Sequence, residues 1–397
     1  MTDMRIGSEQ LSREYALRIL TATPDDPGNH KPRSSGKNHG LANDAVLEAA
    51  HAQVIKILIN ALGDADVAVS AGQAQAGAST GAGNDTISAT AGSADLISSG
   101  DGNDTISIKT SGGYAFIGPY LVSSVDRVEA GAGDDTISIS SHGSVARTGG
   151  GAGDDDIRIS STVISSAGAG VHGIDTTDGG AGNDVISLTS SSDVLRVFGD
   201  EGDDSVVIEA LGSVLGVYGD EGDDTIDVVA DSASGLYGGS GDDQMTVKAE
   251  RAANIYGGDG DDLMVVDVGQ SAYGLYGGDG NDVIQVKAST LYNVEGGAGD
   301  DHLILESLWG DKNTVYFSEG DGHDVVETNK PLEIKRFNSD GTAVAESEAT
   351  VRRNGDGTVT IEFPGGRDSV TVKFIAGSTT GDVVVEQFKG SLIVSRR

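Results

Sequence analysis

The sequence predicts an all-β chain wound as a parallel β-roll, with about 19–20 residues in each coil. Three observations lead to this class: a repeated glycine-rich turn, an apolar strand after each turn, and a shortage of bulky core residues. Glycine accounts for 60 of the 397 residues, and aromatic residues for only 5%. This composition favours a thin solenoid over a thick globular core.

The repeating unit is best preserved in Tyr256-Gly-Gly-Asp-Gly-Asp-Asp-Leu-Met-Val265, and similar stretches begin at Tyr237 and Tyr276. The shared pattern is Gly-Gly-x-Gly-x-Asp, followed two places later by an apolar residue. Twelve copies end in Asp85, Asp104, Asp135, Asp155, Asp184, Asp204, Asp224, Asp243, Asp262, Asp282, Asp301 and Asp324. The intervals between them are 19, 31, 20, 29, 20, 20, 19, 19, 20, 19 and 23 residues, which is too regular for chance.

The turn composition suits a hard divalent cation. Glycines allow positive φ and let backbone carbonyls converge, and the final Asp adds a carboxylate. Carbonyl and carboxylate oxygens are the ligands that Ca²⁺ prefers, whereas the absence of Cys and the scattered His disfavour a soft metal. The alternative is a solenoid with acidic turns and no metal, but its stacked carboxylates would lie about 5 Å apart with nothing between them.

Each coil is expected to contain two strands. Met264, Val266 and Val268 face inward on the strand after the turn, and Leu275 faces inward on the return strand. Equivalent inward residues on other return strands are Val197, Val217, Leu236, Ile255 and Val294. With one glycine-rich turn per coil, Ca²⁺ should line one edge, each ion held between consecutive turns. The two long intervals predict loops on the opposite edge, near residues 111–124 and 161–177, with a hidden half-coil as the alternative.

Two short helices are predicted before the repeats, separated by a Pro-containing linker at residues 22–42. The first spans residues 1–21, with Ser8 as its cap and Leu11, Tyr15 and Ile19 along one face. The second begins after Asn43, ends at Gly63 and buries Leu47, Ala50, Val54, Leu58 and Ala61. They would cap the open end of the solenoid or, alternatively, dock a partner or a surface.

The negative charge is concentrated in the repeats. Residues 81–324 contain 9 basic and 43 acidic groups, net −34, whereas the whole chain has net −36. Such a segment repels itself without counter-ions, and nothing resembles a basic stripe for nucleic acid. No apolar run is long enough for a membrane helix, and the N-terminus lacks a basic and apolar signal sequence. The absence of Cys is compatible with export.

The sequence predicts a non-catalytic protein. It has no His-Glu-x-x-His motif and no Cys, and Gly77-Ala-Ser-Thr-Gly81 lacks the strand-to-helix context of a nucleophile elbow. One surface feature leaves a ligand open. Phe198, Tyr218, Tyr237, Tyr256 and Tyr276 precede successive turns and should form an outward aromatic column. The column either stiffens the sheet or offers a candidate ligand face for a glycan or partner, and the alternative function is therefore a polysaccharide-binding or polysaccharide-modifying enzyme that acts on the surface of the β-roll.

The repeats quoted above resemble the haemolysin-type calcium-binding (RTX) family. Val315-Tyr-Phe-Ser-Glu-Gly-Asp-Gly-His-Asp-Val-Val326 is similar to a degenerate last repeat, and the strand-rich tail is similar to the segment that follows it. The resemblance implies that the twelve Asp residues and the turn glycines bind calcium. The glycines concerned are Gly199, Gly202, Gly219, Gly222, Gly239, Gly241, Gly258, Gly260, Gly278, Gly280, Gly297 and Gly299.

Some copies depart from the family pattern. Thr80, Ser99 and Ala130 replace the first glycine of the first three turns, and Glu319 does so in the last. Asp200 and Asp220 replace the second glycine of two middle turns. These departures make the end sites the weakest.

The resemblance also implies secretion by a type I system, with folding outside the cell when calcium is met. The predicted organisation is a helical N-terminal region (1–70), a calcium-binding β-roll (71–327) and a β-rich C-terminal cap and secretion domain (328–397). We expect a secreted or cell-surface protein with a structural or adhesion-like role. Its partners would be calcium, the secretion machinery and a cell-surface glycan or protein.

Overall fold

A computed structural model describes residues 16–18, 54–58, 63–72, 75–111, 115–117, 120–122, 124–162, 173–337, 349–364, 366–375, 381–388 and 391–396. Within these residues every regular element is a β-strand, and nearly all strands belong to one coiled, mostly parallel assembly. The prediction of an all-β parallel roll of about twelve coils is confirmed. None of the described residues forms a helix of the length and apolar character needed to cross a membrane.

The roll has two faces. The first face, which follows the glycine-rich turns, contains β1 (Ala16–Arg18), β3 (Asp66–Ser70), β5 (Thr86–Ala91), β7 (Thr105–Thr110), β11 (Thr136–Ser141), β13 (Asp156–Ser161), β15 (Val185–Ser190), β17 (Ser205–Ala210), β19 (Thr225–Val229), the first halves of β21 (Gln244–Asp259) and β22 (Leu263–Asp279), β23 (Val283–Ala288), β25 (His302–Ser307), β27 (His323–Thr328) and β31 (Ser369–Phe374).

The return face leads back to the turns. It contains β2 (Val54–Leu58), β4 (Gln75–Ser79), β6 (Ser93–Asp101), β10 (Val125–Ala132), β12 (Val145–Ala152), β14 (Ile174–Ala181), β16 (Val194–Glu201), β18 (Ser213–Glu221), β20 (Ser232–Ser240), the second halves of β21 and β22, β24 (Thr290–Ala298), β26 (Asn313–Ser318) and β28 (Leu332–Phe337). The remaining strands are β8 (Ala115–Ile117), β9 (Tyr120–Val122), β29 (Thr350–Arg353), β30 (Val359–Glu362), β32 (Val383–Phe388) and β33 (Ser391–Arg396).

Like residues stack in columns because each strand pairs in parallel with its equivalent in the next coil. Ile137, for example, pairs with Ile106 on one side and Ile157 on the other, and all three are fully buried. Burial of each such side chain stabilises the roll by about 1.5–3 kcal/mol. The predicted inward residues are all buried: Met264, Val266, Val268, Leu275, Val197, Val217, Leu236, Ile255 and Val294. The alternation of apolar and polar residues thus places the apolar side chains inside the roll.

The two long intervals do not add coils. Thr105 pairs directly with Thr136, and Asp156 pairs directly with Val185, so no strand intervenes between those neighbours. The first interval instead contains the antiparallel hairpin of β8 and β9, on the edge opposite the turns. Much of the second interval, residues 163–172, lies outside the described residues. Register across both intervals excludes the half-coil alternative.

The two predicted N-terminal helices are wrong where the structure describes the chain. Ala16–Arg18 is strand β1, which pairs with β3, and Val54–Leu58 is strand β2, which pairs with β4. The run Val54-Ile-Lys-Ile-Leu58 is rich in β-branched residues, and an adjacent parallel edge needs hydrogen-bond partners, so both factors favour strand over helix. The other residues of the predicted helices and linker lie outside the described residues.

Parallel stacking thus begins before residue 71, but the predicted boundaries at 70/71 and 327/328 stay predictions.

The C-terminal end closes the roll by changing strand direction. β31 continues the first face in parallel with β27, and β33 pairs antiparallel with β28 on the return face. β29, β30 and β32 add further antiparallel pairs. Arg336 and Asp368, 5% and 8% exposed, form a buried ion pair at 3.0 Å, and the Arg336 guanidinium lies over the Phe363 ring. The tail therefore covers the last coil as a packed layer.

Candidate metal sites

The turn edge is shaped by glycines that no other residue could easily replace. In the turn Gly257–Asp262, the second and third glycines, Gly258 and Gly260, have φ of 139° and 137°. A Cβ on Gly258 would lie 1.9 Å from the carbonyl oxygen of Gly239 in the preceding coil. Close stacking of successive turns therefore favours glycine at these positions, although Asp200 and Asp220 take the second position of two turns with φ of 76° and 79°.

The final Asp of every turn points into the stack and is buried. All twelve predicted Asp residues are 1–2% exposed. In each, one carboxylate oxygen, Oδ1, accepts a hydrogen bond from a backbone N–H of the preceding turn. The first of these bonds joins Ala65 N to Asp85 Oδ1, and the last joins Asp301 N to Asp324 Oδ1. All twelve are 2.6–2.9 Å long. The Asp residues thus form one continuous inner column that ties each coil to the next.

The second carboxylate oxygen of the inner column has no hydrogen-bond partner. This applies to Oδ2 of Asp85, Asp104, Asp135, Asp155, Asp184, Asp204, Asp224, Asp243, Asp262, Asp282 and Asp301, all of them buried. Burial of a charged carboxylate oxygen without a hydrogen-bond partner is unfavourable, and an isolated buried ion costs at least several kcal/mol. Eleven such atoms in a row indicate a shared missing partner rather than eleven separate packing faults.

Burial raises the pKa of most of these carboxyl groups. The pKa rises to about 7 in Asp135, Asp155, Asp204, Asp243, Asp262 and Asp301, to about 6 in Asp184, Asp224 and Asp282, and to about 9 in Asp324. The backbone N–H bond to each group lowers its pKa, whereas neighbouring carboxylates raise it further. The column therefore favours bound protons or a bound cation over bare negative charge.

In seven turns, the unpaired Oδ2 and a carbonyl oxygen of the next turn converge beside the glycine that opens the turn. A Cβ placed on Gly257 would lie 2.1 Å from Oδ2 of Asp262 and 2.6 Å from the carbonyl oxygen of Gly277 in the next turn. The same two oxygens flank Gly150, Gly179, Gly199, Gly219, Gly238 and Gly277, at 2.1–2.3 Å and 2.3–2.9 Å respectively. We call these seven positions the Gly hollows.

The Gly hollows have the chemistry of a calcium site. Ca²⁺ binds carboxylate and carbonyl oxygens at about 2.3–2.6 Å, and both donor types converge on each hollow from two successive turns. The described residues contain no cluster of three or more His, Cys, Asp or Glu side chains suited to a metal. Only one carboxylate per turn reaches a hollow, so the other ligands would be backbone carbonyls. The residues present therefore fit calcium, with its tolerance of carbonyl ligands.

The predicted glycine ligands occupy three different places. Gly199 and Gly219 open their turns and border hollows. Gly239, Gly258, Gly278 and Gly297 are second glycines, and Gly202, Gly222, Gly241, Gly260, Gly280 and Gly299 are third glycines, all with positive φ. Sequence reasoning omitted Gly150, Gly179, Gly238, Gly257 and Gly277, which also border hollows. Each of these glycines is the first residue of the Gly-Gly-x-Gly-x-Asp pattern, and that position could have identified them from the sequence.

Two further features were not predicted. The residues before the final Asp form an exposed outer column, in which a side chain of one turn accepts a hydrogen bond from the backbone N–H of the next turn. Asp261 N, for example, donates to Asp242 Oδ1 at 2.8 Å. This direction is opposite to that of the inner column. An additional turn at Gly63-Asp64-Ala65 joins both columns, since Asp64 accepts from Asn84 N and Ala65 N donates to Asp85. The sequence could have indicated this turn, because Gly63-Asp64 lies one coil length, twenty residues, before Gly83-Asn84.

The aromatic column is also present. The rings from Phe198 to Tyr276 stack in sequence, with centroids 4.8–5.1 Å apart and planes within 10° of parallel. Each inner ring thus has both faces covered by its neighbours.

Comparison with known proteins agrees with this geometry. The RTX calcium-binding nonapeptide repeat matches the chain at four places, residues 79–107, 123–138, 254–270 and 275–286. A search of curated proteins found no match. The turns between the second and third matches show the same inner column and hollows, so the repeat continues through them. This chain therefore contains RTX calcium-binding nonapeptide repeats at these four places.

Proposed function

We propose that this is a secreted, non-catalytic protein whose β-roll folds when calcium binds between successive turns, outside the cell. The observation that supports this best is the inner column, in which a buried carboxylate oxygen without a hydrogen-bond partner faces a carbonyl of the next turn. The ions would form a row along the turn edge, held by Oδ2 of the final Asp and by turn carbonyls. Bound calcium would supply the positive charge that the column lacks.

The charge distribution explains why folding would depend on calcium. Residues 81–324 have net −34, and the inner column buries part of that charge in register. At low calcium, repulsion and desolvation both oppose stacking. Extracellular-type calcium sites bind at about 10⁻⁴–10⁻³ M, so such sites would be empty in a cytosol and filled outside a cell. Binding free energy would then become folding free energy.

A calcium titration followed by far-UV circular dichroism tests this proposal. We expect a largely unfolded spectrum at pH 7.5 in chelator and a cooperative gain of β-structure as calcium rises to about 10 mM, ten or more times a typical extracellular dissociation constant. Magnesium at the same concentration is the control, because it demands small octahedral sites and gives up its water reluctantly. A spectrum that is already β-rich in chelator and does not respond to calcium would refute calcium-dependent folding.

The proposal of export by a type I system rests on the RTX repeats and the strand-rich tail. Co-expression with such an exporter should place the full chain in the medium, whereas a chain ending at residue 327 should remain inside. Equal export of both chains would contradict a secretion role for residues 328–397. A surface glycan or protein as the final partner belongs to the same proposal.

Two features support a non-catalytic role. Ser79 of the Gly77–Gly81 motif ends strand β4 and is followed by a turn and strand β5 rather than by the helix of a nucleophile elbow. In the aromatic column, the inner rings present only their edges to solvent because their faces stack on one another. A sugar platform needs open ring faces, so the stacking favours a stiffening role over polysaccharide binding.

A further inference from the structure

The aromatic column is interrupted in the coil that follows Tyr276. Glu295 takes the column position in that coil, since it pairs with Tyr276 on one side and with Tyr316 on the other. Rings of the column are 4.8–5.1 Å apart, one per coil. Tyr276 and Tyr316 hold the same position two coils apart, about 10 Å at the strand spacing. One ring is therefore missing between them, and we call this place the ring gap.

The backbone beneath the ring gap has the form that carries a ring elsewhere in the column. Each Tyr ring lies over the residue two places before it, so that a Cβ on Gly274 would be 3.2 Å from Cε2 of Tyr276. In the coil of Tyr256 that residue is Asn254, with φ of 56°. In the coil of the ring gap it is Asn293, with φ of 53°. A planar group of the size of a Tyr ring therefore fits over Asn293, as it does over Asn254.

The Glu295 side chain leans away from the ring gap and places a negative charge at its border. Its carboxylate lies within hydrogen-bonding reach of Ser318, on the turn side of the next coil. None of the described Lys, Arg and His side chains forms an ion pair with Glu295. Lys335 pairs with Tyr316 from the coil beyond it, with its Nζ 5.2 Å from the ring centroid. The ring gap thus combines aromatic faces with an unneutralised carboxylate.

The opposite end of the aromatic column shows which group such a place accepts. Asp178 takes the column position next to Phe198, so this coil also has a carboxylate in place of a ring. The residue two places before Asp178 is Thr176, which has φ of 59°. The Arg196 guanidinium reaches this residue, donates from Nε to Thr176 Oγ1 at 3.2 Å and pairs with Asp175. A guanidinium of the protein itself therefore lies in the coil that lacks a ring.

We propose that the ring gap binds a planar organic cation, the guanidinium group of an arginine side chain on a partner protein. Its plane stacks between Tyr276 and Tyr316 at the spacing of the column, and Glu295 balances its charge. A guanidinium combines stacking on an aromatic face with pairing to a carboxylate, which an ammonium group does less well.

The surroundings of the ring gap favour a protein as the source of the guanidinium. Tyr273 and Tyr292 are paired neighbours on the same face, 48% and 54% exposed, and they offer apolar surface to the chain that carries the arginine. The net charge of −36 attracts a basic partner over a distance. Tyr276, Asn293 and Glu295 are all partly exposed, so the ring gap is accessible from solvent.

Saturation-transfer difference NMR on the full chain, folded in calcium, tests the proposal with three probes. Acetyl-arginine amide is the ligand, acetyl-citrulline amide is its planar neutral match, and acetyl-lysine amide is charged but not planar. We expect a dissociation constant of about 1 mM for the arginine probe and binding about fivefold or more weaker for the other two. Equal binding of all three, or no binding of the arginine probe, would overturn the proposal. Agmatine separates the sources, since binding of agmatine without acetyl-arginine amide would assign the site to a free small molecule and exclude the protein partner.

Variants at one position locate the binding in the ring gap. Glu295→Gln removes the charge and should weaken arginine binding about fivefold, whereas Glu209→Gln, on the exposed side of the first face, should leave it unchanged. Glu295→Tyr supplies the missing ring and should abolish binding while it raises the urea midpoint in calcium. A higher midpoint shows that the variant is folded, so its loss of binding cannot come from misfolding. A lower midpoint would show that no ring fits there, and undiminished binding in Glu295→Tyr would place the probe elsewhere; either result refutes the inference.

Discussion

Replacement of Asp262 by Asn should have opposite effects on stability with and without calcium. The Asn side chain keeps an Oδ1 that can accept the hydrogen bond from Asp243 N, now 2.8 Å long. It loses the charged Oδ2 that borders the Gly257 hollow. The change therefore removes one charge and one ion ligand while it preserves the link between the coils.

The magnitude in chelator follows from the pKa. Burial raises the pKa of Asp262 from 3.8 to about 7. Because the folded pKa lies above the unfolded one, the metal-free roll is destabilised once pH exceeds the unfolded pKa, and the penalty is complete above the folded pKa. Each unit corresponds to about 1.4 kcal/mol, so Asn should recover up to about 4 kcal/mol at pH 8.

The magnitude in calcium follows from mass action. At about 10 mM calcium, a site with a dissociation constant of about 10⁻⁴–10⁻³ M stabilises the folded state by about 1.4–2.7 kcal/mol. Loss of that ion should lower the free energy of unfolding by this amount. Urea unfolding in saturating calcium measures it. In chelator, the osmolyte trimethylamine oxide drives folding, and the midpoint should shift to lower osmolyte concentration.

Asp227→Asn is the matched control, since Asp227 is exposed on strand β19 between Val207 and Thr246. It removes the same charge at a place that faces solvent, and it should change stability by less than about 0.5 kcal/mol in either condition. If Asp262→Asn lowers stability equally with and without calcium, Asp262 acts only through packing and hydrogen bonding. That result would refute the assignment of Oδ2 as an ion ligand.

Three other predictions concern the inner column, the aromatic column and the C-terminal cap. In chelator, the raised carboxyl pKa values mean that the roll loses stability as pH rises from about 5 to about 8. In calcium the roll should instead gain stability over this range, because protons compete with the ion for the carboxylates. Osmolyte midpoints in chelator and urea midpoints in calcium measure the two trends, and trends in the same direction would contradict this explanation. Tyr237→Leu removes two ring stacks at 4.9 Å and should cost about 1–3 kcal/mol in calcium-saturated urea unfolding, more than Tyr273→Leu at an exposed position outside the column. Equal costs would show that the stacks do not stabilise the sheet. Arg336→Met leaves Asp368 buried without its partner and should cost about 3–5 kcal/mol, part of which Asp368→Asn should restore in the double variant; no restoration would place the effect in the Phe363 contact instead.

The sequence by itself determined the class of fold and the position of its chemistry. The 19–20-residue period, the positive-φ glycines and the apolar alternation after each turn are local properties, because they depend on backbone sterics and on the two-residue period of a strand. They were enough to place Met264 and Leu275 in the core and the final Asp residues on one edge. The aromatic column followed from the same period, since residues in phase must stack.

Only the tertiary structure decided how neighbouring coils meet. The local pattern gave no reason for Oδ1 of Asp262 to be bonded and Oδ2 to be free, because that depends on the N–H of Asp243 one coil away. The strand at Val54–Leu58 had a helical spacing of apolar residues, yet the unpaired edge of the next coil supplied backbone partners and prevailed. Contacts between coils depend on register, and register is a property of the whole stack.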